Sequence, residues 1–149
     1  MKKFIGIAAI MVAVFAVSQA QERTVVNDQA AAKMLLGNHK LSLQWISWDN
    51  FGTATVSNKA AVYSVKGSQK GRGNTDFLTI EGIIVSIDAK QFVFEGKIVT
   101  QVSHINSGKP CIRQGDFTFK ITGKRRYWRL MEMDNPCDEA TDYVDIYFR

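Results

Sequence analysis

The chain has only two histidines and two cysteines in 149 residues, so the side chains that most often ligate metals or attack substrates are scarce. His39 and His104 stand far apart, in no HExxH or other tight ligand spacing, and Cys111 and Cys137 do not form a C-x-x-C pair. A zinc centre is therefore not expected. No Gly-x-Ser-x-Gly elbow occurs, and the glycines of GSQKGRGN, residues 67 to 74, lack the spacing and the Lys-Ser/Thr pair of a phosphate-binding loop. That segment reads as a flexible loop. Glu81 and Glu95 come nearest to an acid/base pair, but Glu95 alternates with apolar Phe94 and should face water. No catalytic residue, cofactor or metal is assigned on this basis. Beyond residue 20 no run is long and apolar enough to cross a bilayer as a helix, so stable membrane insertion is not expected.

The long apolar run that does occur lies at the start. Lys2 and Lys3 precede an uncharged stretch from Phe4 to Val17, followed by Ser18, Gln19 and Ala20. This is the pattern of a cleaved secretory leader over residues 1 to 20, which makes residues 21 to 149 a single exported domain, periplasmic or secreted. No cysteine follows the cut, so lipoprotein acylation is not expected. Excess charge shrinks with the leader: 17 Lys and Arg then face 14 Asp and Glu, +3 in place of +5. So small a surplus, in an exported chain, gives little reason to expect a nucleic-acid partner.

What remains is patterned for strands. Asn27 or Asp28 is placed to cap one short N-terminal helix of about ten residues through Ala30–Leu35, with Gly37 as its stop. From His39 the apolar period becomes two, Leu41, Leu43 and Trp45 alternating with Ser42 and Gln44. Further strands are expected at 52–56, 61–65, 77–88, 91–102, 116–122, 125–131 and 143–148. The chain is therefore mostly β: an antiparallel barrel of about eight strands, or a β-sandwich. Within 77–88 the apolar parity switches between Leu78, Ile80 and Ile83, Val85, Ile87, which predicts a β-bulge at Glu81 and Gly82. A turn at Ala89 and Lys90 then sets Ile87 opposite Phe92 and Val85 opposite Phe94.

The segment TGKRRYWRLMEM, residues 122 to 133, mixes cations with aromatics as nucleic-acid surfaces do. A turn at Gly123 and Lys124 instead makes it one arm of a hairpin, with Phe119 opposite Trp128 and Phe117 opposite Leu130. Trp128 then faces inward while Tyr127 and Arg129 face outward beside Lys120, so no single stacking platform forms. Cys111 and Cys137 flank this hairpin and should meet at its open end as a disulfide. The acidic run MEMDNPCDEATDYVD lacks the ordered ligand spacing of a calcium loop and reads as a solvated segment.

The stretch KMLLGNHKLSLQW resembles the opening of the lipocalin and wider calycin group, a short helix followed by Leu-x-Gly leading into the first barrel strand. The resemblance implies an eight-stranded up-and-down barrel holding a small apolar ligand. On that reading the candidate ligand-binding residues are Trp45, Phe94, Phe119, Arg126 and Trp128, with Arg126 at the barrel mouth positioned for an anion or a carboxylate. The same aromatics are large enough to fill a barrel interior. The alternative is an envelope protein-interaction or glycan-binding module that works through an outer strip of Lys120, Tyr127, Arg129, Tyr143 and Tyr147.

Overall fold

The computed structural model describes residues 22–149; the expected leader lies outside them. Two residues of parallel strand, β1 (Val25–Val26), precede a helix, α1 (Gln29–Leu35), and eight antiparallel strands follow. These are β2 (Gly37–Leu43), β3 (Gly52–Lys59), β4 (Val62–Lys70), β5 (Phe77–Ile87), β6 (Gln91–Gln101), β7 (Cys111–Lys120), β8 (Tyr127–Leu130) and β9 (Val144–Tyr147). Each pairs with the next in the chain, and β9 returns to β2 through Leu41 opposite Ile146 and Leu43 opposite Val144. That last pairing closes an up-and-down barrel and decides against the open sandwich. The closed barrel fits a lipocalin-like fold.

Local chemistry explains the helix and the turns. Asp28 caps α1 by accepting the Ala31 N–H at 2.7 Å, and Gly37 takes φ +103° where the chain turns into β2. The helix is seven residues long, shorter than expected, and buries Ala31, Ala32 and Leu35 over one end of the barrel. The Ala89–Lys90 turn forms as expected, with the Asp88 N–H donating to the Gln91 carbonyl and Ile87 facing Phe92.

Four expectations are corrected. The parity switch in β5 lies at Val85 and not at Glu81–Gly82: register shifts between Ile84 and Ser86, so Ile84 rather than Val85 faces Phe94. Gly82 has no need to switch sides, because it faces Gly96 across the ladder, where a Cβ on Gly82 would lie 2.3 Å from the Glu95 carbonyl oxygen. The β7–β8 hairpin is offset by two residues, placing Phe119 opposite Leu130 and Lys120 opposite Arg129. A turn is present at Gly123, with the Arg125 N–H donating to Thr122, but the arms begin to pair only from Lys120 and Arg129. An offset of two keeps every side chain on its expected face. Strand β4 runs on through residues 67–70 of the expected loop, paired with Ile80 to Phe77, and β7 starts at Cys111, five residues early.

The interior is closed by aromatic packing. Phe92, Phe94 and Phe119 are fully buried, and Trp128 is 2% exposed. Phe92 stacks on Phe119 at 5.2 Å and meets the Trp128 edge at 6.0 Å, while Phe94 stacks on Phe117 at 5.2 Å. Each ring contributes about 1.5–3 kcal/mol by burial alone, with further gain from offset and edge contacts. At the opposite end, Cys111 and Cys137 form the expected disulfide, tying the start of β7 to the long β8–β9 connection.

Candidate functional site

The five candidate residues do not share one cavity. Phe94, Phe119 and Trp128 belong to the closed aromatic layer. Trp45 leaves the alternation of β2, because the strand ends at Leu43; its indole is 37% exposed and donates to Asp142 at 3.1 Å. It lies edge-on to His104 at the disulfide end. Arg126 lies at the other end, exposed beside the barrel wall, with its carbonyl accepting the Phe148 N–H at 3.0 Å.

Arg126 borders a surface cleft of about 480 Å³. Two further cations, Lys40 and Arg149, line it together with Phe51, Tyr147 and Phe148. The alternation of β2 explains Lys40: Leu41 and Leu43 go inward, so Lys40 goes outward. Its ammonium sits 5.1 Å from the Phe51 ring centre, and Phe51 meets Tyr147 edge-on at 5.2 Å. Arg149 depends on Gly37: a Cβ there would stand 3.0 Å from its guanidinium nitrogen. No Asp or Glu side chain lines the cleft, and among the described residues none of its three cations is in an ion pair. Burial pushes the Tyr147 phenol above its ordinary range, so it remains neutral beside them.

His39 closes the floor. It is 2% exposed, with Nε2 lying 2.7 Å from the Leu35 carbonyl of α1 and Nδ1 lying 2.9 Å from the Tyr147 carbonyl of β9. Its ring also lies edge-on to Trp128 at 5.6 Å. One side chain thus ties the helix, the last strand and the aromatic layer together beneath the cleft.

Several other polar groups are engaged within the fold, although the buried Arg113 keeps one guanidinium nitrogen without a hydrogen-bond partner. Arg129 donates to both Asp145 oxygens at 2.7 Å and lies over the Tyr143 ring at 4.1 Å and the Tyr127 ring at 5.2 Å. Much of the proposed outer strip is therefore spent on an internal ion pair, and Lys120 lies opposite Arg129 in the β7–β8 register. In the acidic segment, Glu132 accepts from Thr118, Asp138 from Asn106, and Asp142 from Trp45 and Asn135. Asp142 is buried, and desolvation pushes its carboxyl up despite those bonds and the charge of Arg113. A larger surface groove, about 640 Å³, crosses the outside of β5–β7, but Glu22, Arg23 and Glu95 give it mixed charge.

Of the five candidate residues only Arg126 borders this cleft, and the sequence pattern singled out none of Lys40, His39, Phe51 and Arg149 as its neighbours. Outward parity marked Lys40; nothing local linked β2 to β9, which is the pairing that brings these residues together.

Residues 23–148 match the PM1083 family. The chain is 51% identical over 114 residues to the uncharacterized protein PM1083 of Pasteurella multocida (strain Pm70), an alignment that covers 76% of this chain and 73% of that protein. No solved structure matches. The chain belongs to the PM1083 family.

Proposed function

We propose that this member of the PM1083 family is an exported binding barrel for a small amphipathic ligand whose anionic group is held at Arg126. The observation that carries this reading is the cleft itself, where Lys40, Arg126 and Arg149 stand against an aromatic wall and, among the described residues, have neither an ion-pair partner nor an acidic side chain lining the cleft beside them. Exposed cations without partners raise the local concentration of anions, and a guanidinium gives a carboxylate, phosphate or sulfonate paired N–H donors. Phe51, Tyr147 and Phe148 offer the apolar part of such a ligand a surface to cover. Export accords with the disulfide, which persists in oxidising compartments. Among the described residues no helix is long and apolar enough to cross a membrane.

A purely apolar ligand inside the barrel has less support, since Phe94, Phe119 and Trp128 pack on their neighbours. The envelope-partner and glycan reading loses its central residue, because Arg129 is held by Asp145.

The test is a fluorescence titration with two probes sharing one aryl system, anionic 1-anilinonaphthalene-8-sulfonate and uncharged N-phenyl-1-naphthylamine. The sulfonate should bind at one site and the neutral probe far more weakly. Lys40→Ala with Arg126→Ala should weaken sulfonate binding about tenfold or more without lowering the melting temperature. Equal affinity for both probes, or no effect of the double variant, would refute the proposal.

A further inference from the structure

We infer that His39 makes the Arg126 cleft proton-sensitive: anion binding there tightens when His39 carries a proton on both ring nitrogens. The inference rests on the reading of the cleft as an anion site. Both ring nitrogens of His39 face backbone carbonyl oxygens, Leu35 at 2.7 Å and Tyr147 at 2.9 Å, and a carbonyl oxygen can only accept. A neutral imidazole has one N–H, so it satisfies one carbonyl and turns a lone pair toward the other. The imidazolium satisfies both, and in a site 2% exposed no bulk water replaces the missing donor.

The charged groups around the cleft come from several elements. Lys40 adjoins His39 on β2, Arg126 comes from the β7–β8 connection, and Arg149 follows β9, while Lys33, the basic residue in the last turn of α1, is not among the residues that line the cleft. Tyr147, the other titratable group on the cleft, stays neutral because burial raises its phenol. An anion seated among the cations of the cleft brings negative charge beside His39, which lines the same cleft, so anion and proton each favour the binding of the other. Linkage makes the effect reciprocal: the ligand's affinity rises by the same factor as the proton's. His104, the second histidine, sits at the opposite end of the barrel against Trp45 and serves as an internal control.

The experiment measures dissociation constants of the naphthalene sulfonate between about pH 5 and pH 9, a range in which histidine is the side chain expected to titrate. The sulfonate keeps its charge throughout, so any pH dependence belongs to the protein. Wild-type affinity should fall roughly five- to tenfold as pH rises. His104→Asn should behave as wild type, whereas His39→Asn should bind with an affinity independent of pH. Because His39→Asn removes one buried contact and can fail to fold, nitrogen-15 spectra of the wild-type imidazole provide the second readout. Adding the sulfonate near neutral pH should shift His39 toward the doubly protonated form. Binding with no pH dependence, or a His39 ring unchanged on saturation, would refute the inference while leaving the anion site standing. No sulfonate binding at any pH would refute the site and the inference together.

Discussion

Removing the Cys111–Cys137 bond tests how much of the fold depends on its disulfide end. The two cysteines are 26 residues apart in sequence, so the bond closes a loop of that size in the unfolded chain. In the chain-entropy treatment such a loop lowers the entropy of the unfolded state by about 12 cal/mol/K, equivalent to about 3.5 kcal/mol at room temperature. For a domain whose whole margin is about 5–15 kcal/mol, that loss leaves the protein folded but weakened. The perturbation is Cys111→Ala with Cys137→Ala, which leaves no unpaired thiol. Urea unfolding followed by tryptophan fluorescence is the assay. With a slope near 2 kcal/mol/M, the midpoint should fall by about 1.7 M at unchanged slope. A fall below about 0.5 M would refute the reasoning, since it would mean that the β8–β9 connection holds its place against β7 without the bond.

Four further outcomes are expected. Phe119→Ala empties a fully buried position in the aromatic layer and should cost about 3–5 kcal/mol in urea unfolding, while leaving sulfonate affinity unchanged at temperatures where it is folded. Gly96→Ala should prevent folding or cost more than about 2 kcal/mol, because the new Cβ would meet the Glu81 carbonyl oxygen at 2.2 Å; equal stability by thermal melting would contradict the close approach of β5 and β6. Arg129→Ala strands the Asp145 carboxylate, 1% exposed, and should cost about 3–5 kcal/mol, whereas Glu81→Gln at the exposed Lys66 pair should change stability by less than about 1 kcal/mol. Burial raises the Asp142 carboxyl, so the folded state keeps that proton to a higher pH than the unfolded chain does. Its contribution is complete below the unfolded pKa and is lost as pH rises through the raised one, so Asp142→Asn should lose less stability than wild type across that interval; parallel pH profiles would contradict this.

The sequence was most informative where its signal was local. Alternation identified the faces of β2, β6, β7 and β8, and the parity of Phe117, Phe119, Trp128 and Leu130 held although the hairpin slid by two residues. A slide of two leaves faces intact, so parity could not reveal it. Apolar parity alone puts the bulge at Gly82, but that glycine marks the point where β5 and β6 approach too closely for a Cβ, and the register shifts at Val85 instead. The disulfide followed from the flanking positions of its cysteines. The cleft was largely illegible: Lys40, Arg126 and Arg149 are scattered over the chain and meet only because β9 closes onto β2, a pairing with no turn to announce it. His39 likewise showed no motif, since both of its partners are backbone carbonyls.

The central claim is that ligand binding takes place outside the closed interior, at the helix-covered end. Amide and side-chain chemical-shift mapping during titration with the naphthalene sulfonate tests it most directly. Perturbations should centre on Asn38, Lys40, Phe51, Arg126 and Tyr147, with Phe94, Phe117 and Ile98 unmoved. The largest shifts at those three interior residues, with Lys40 and Arg126 silent, would contradict it.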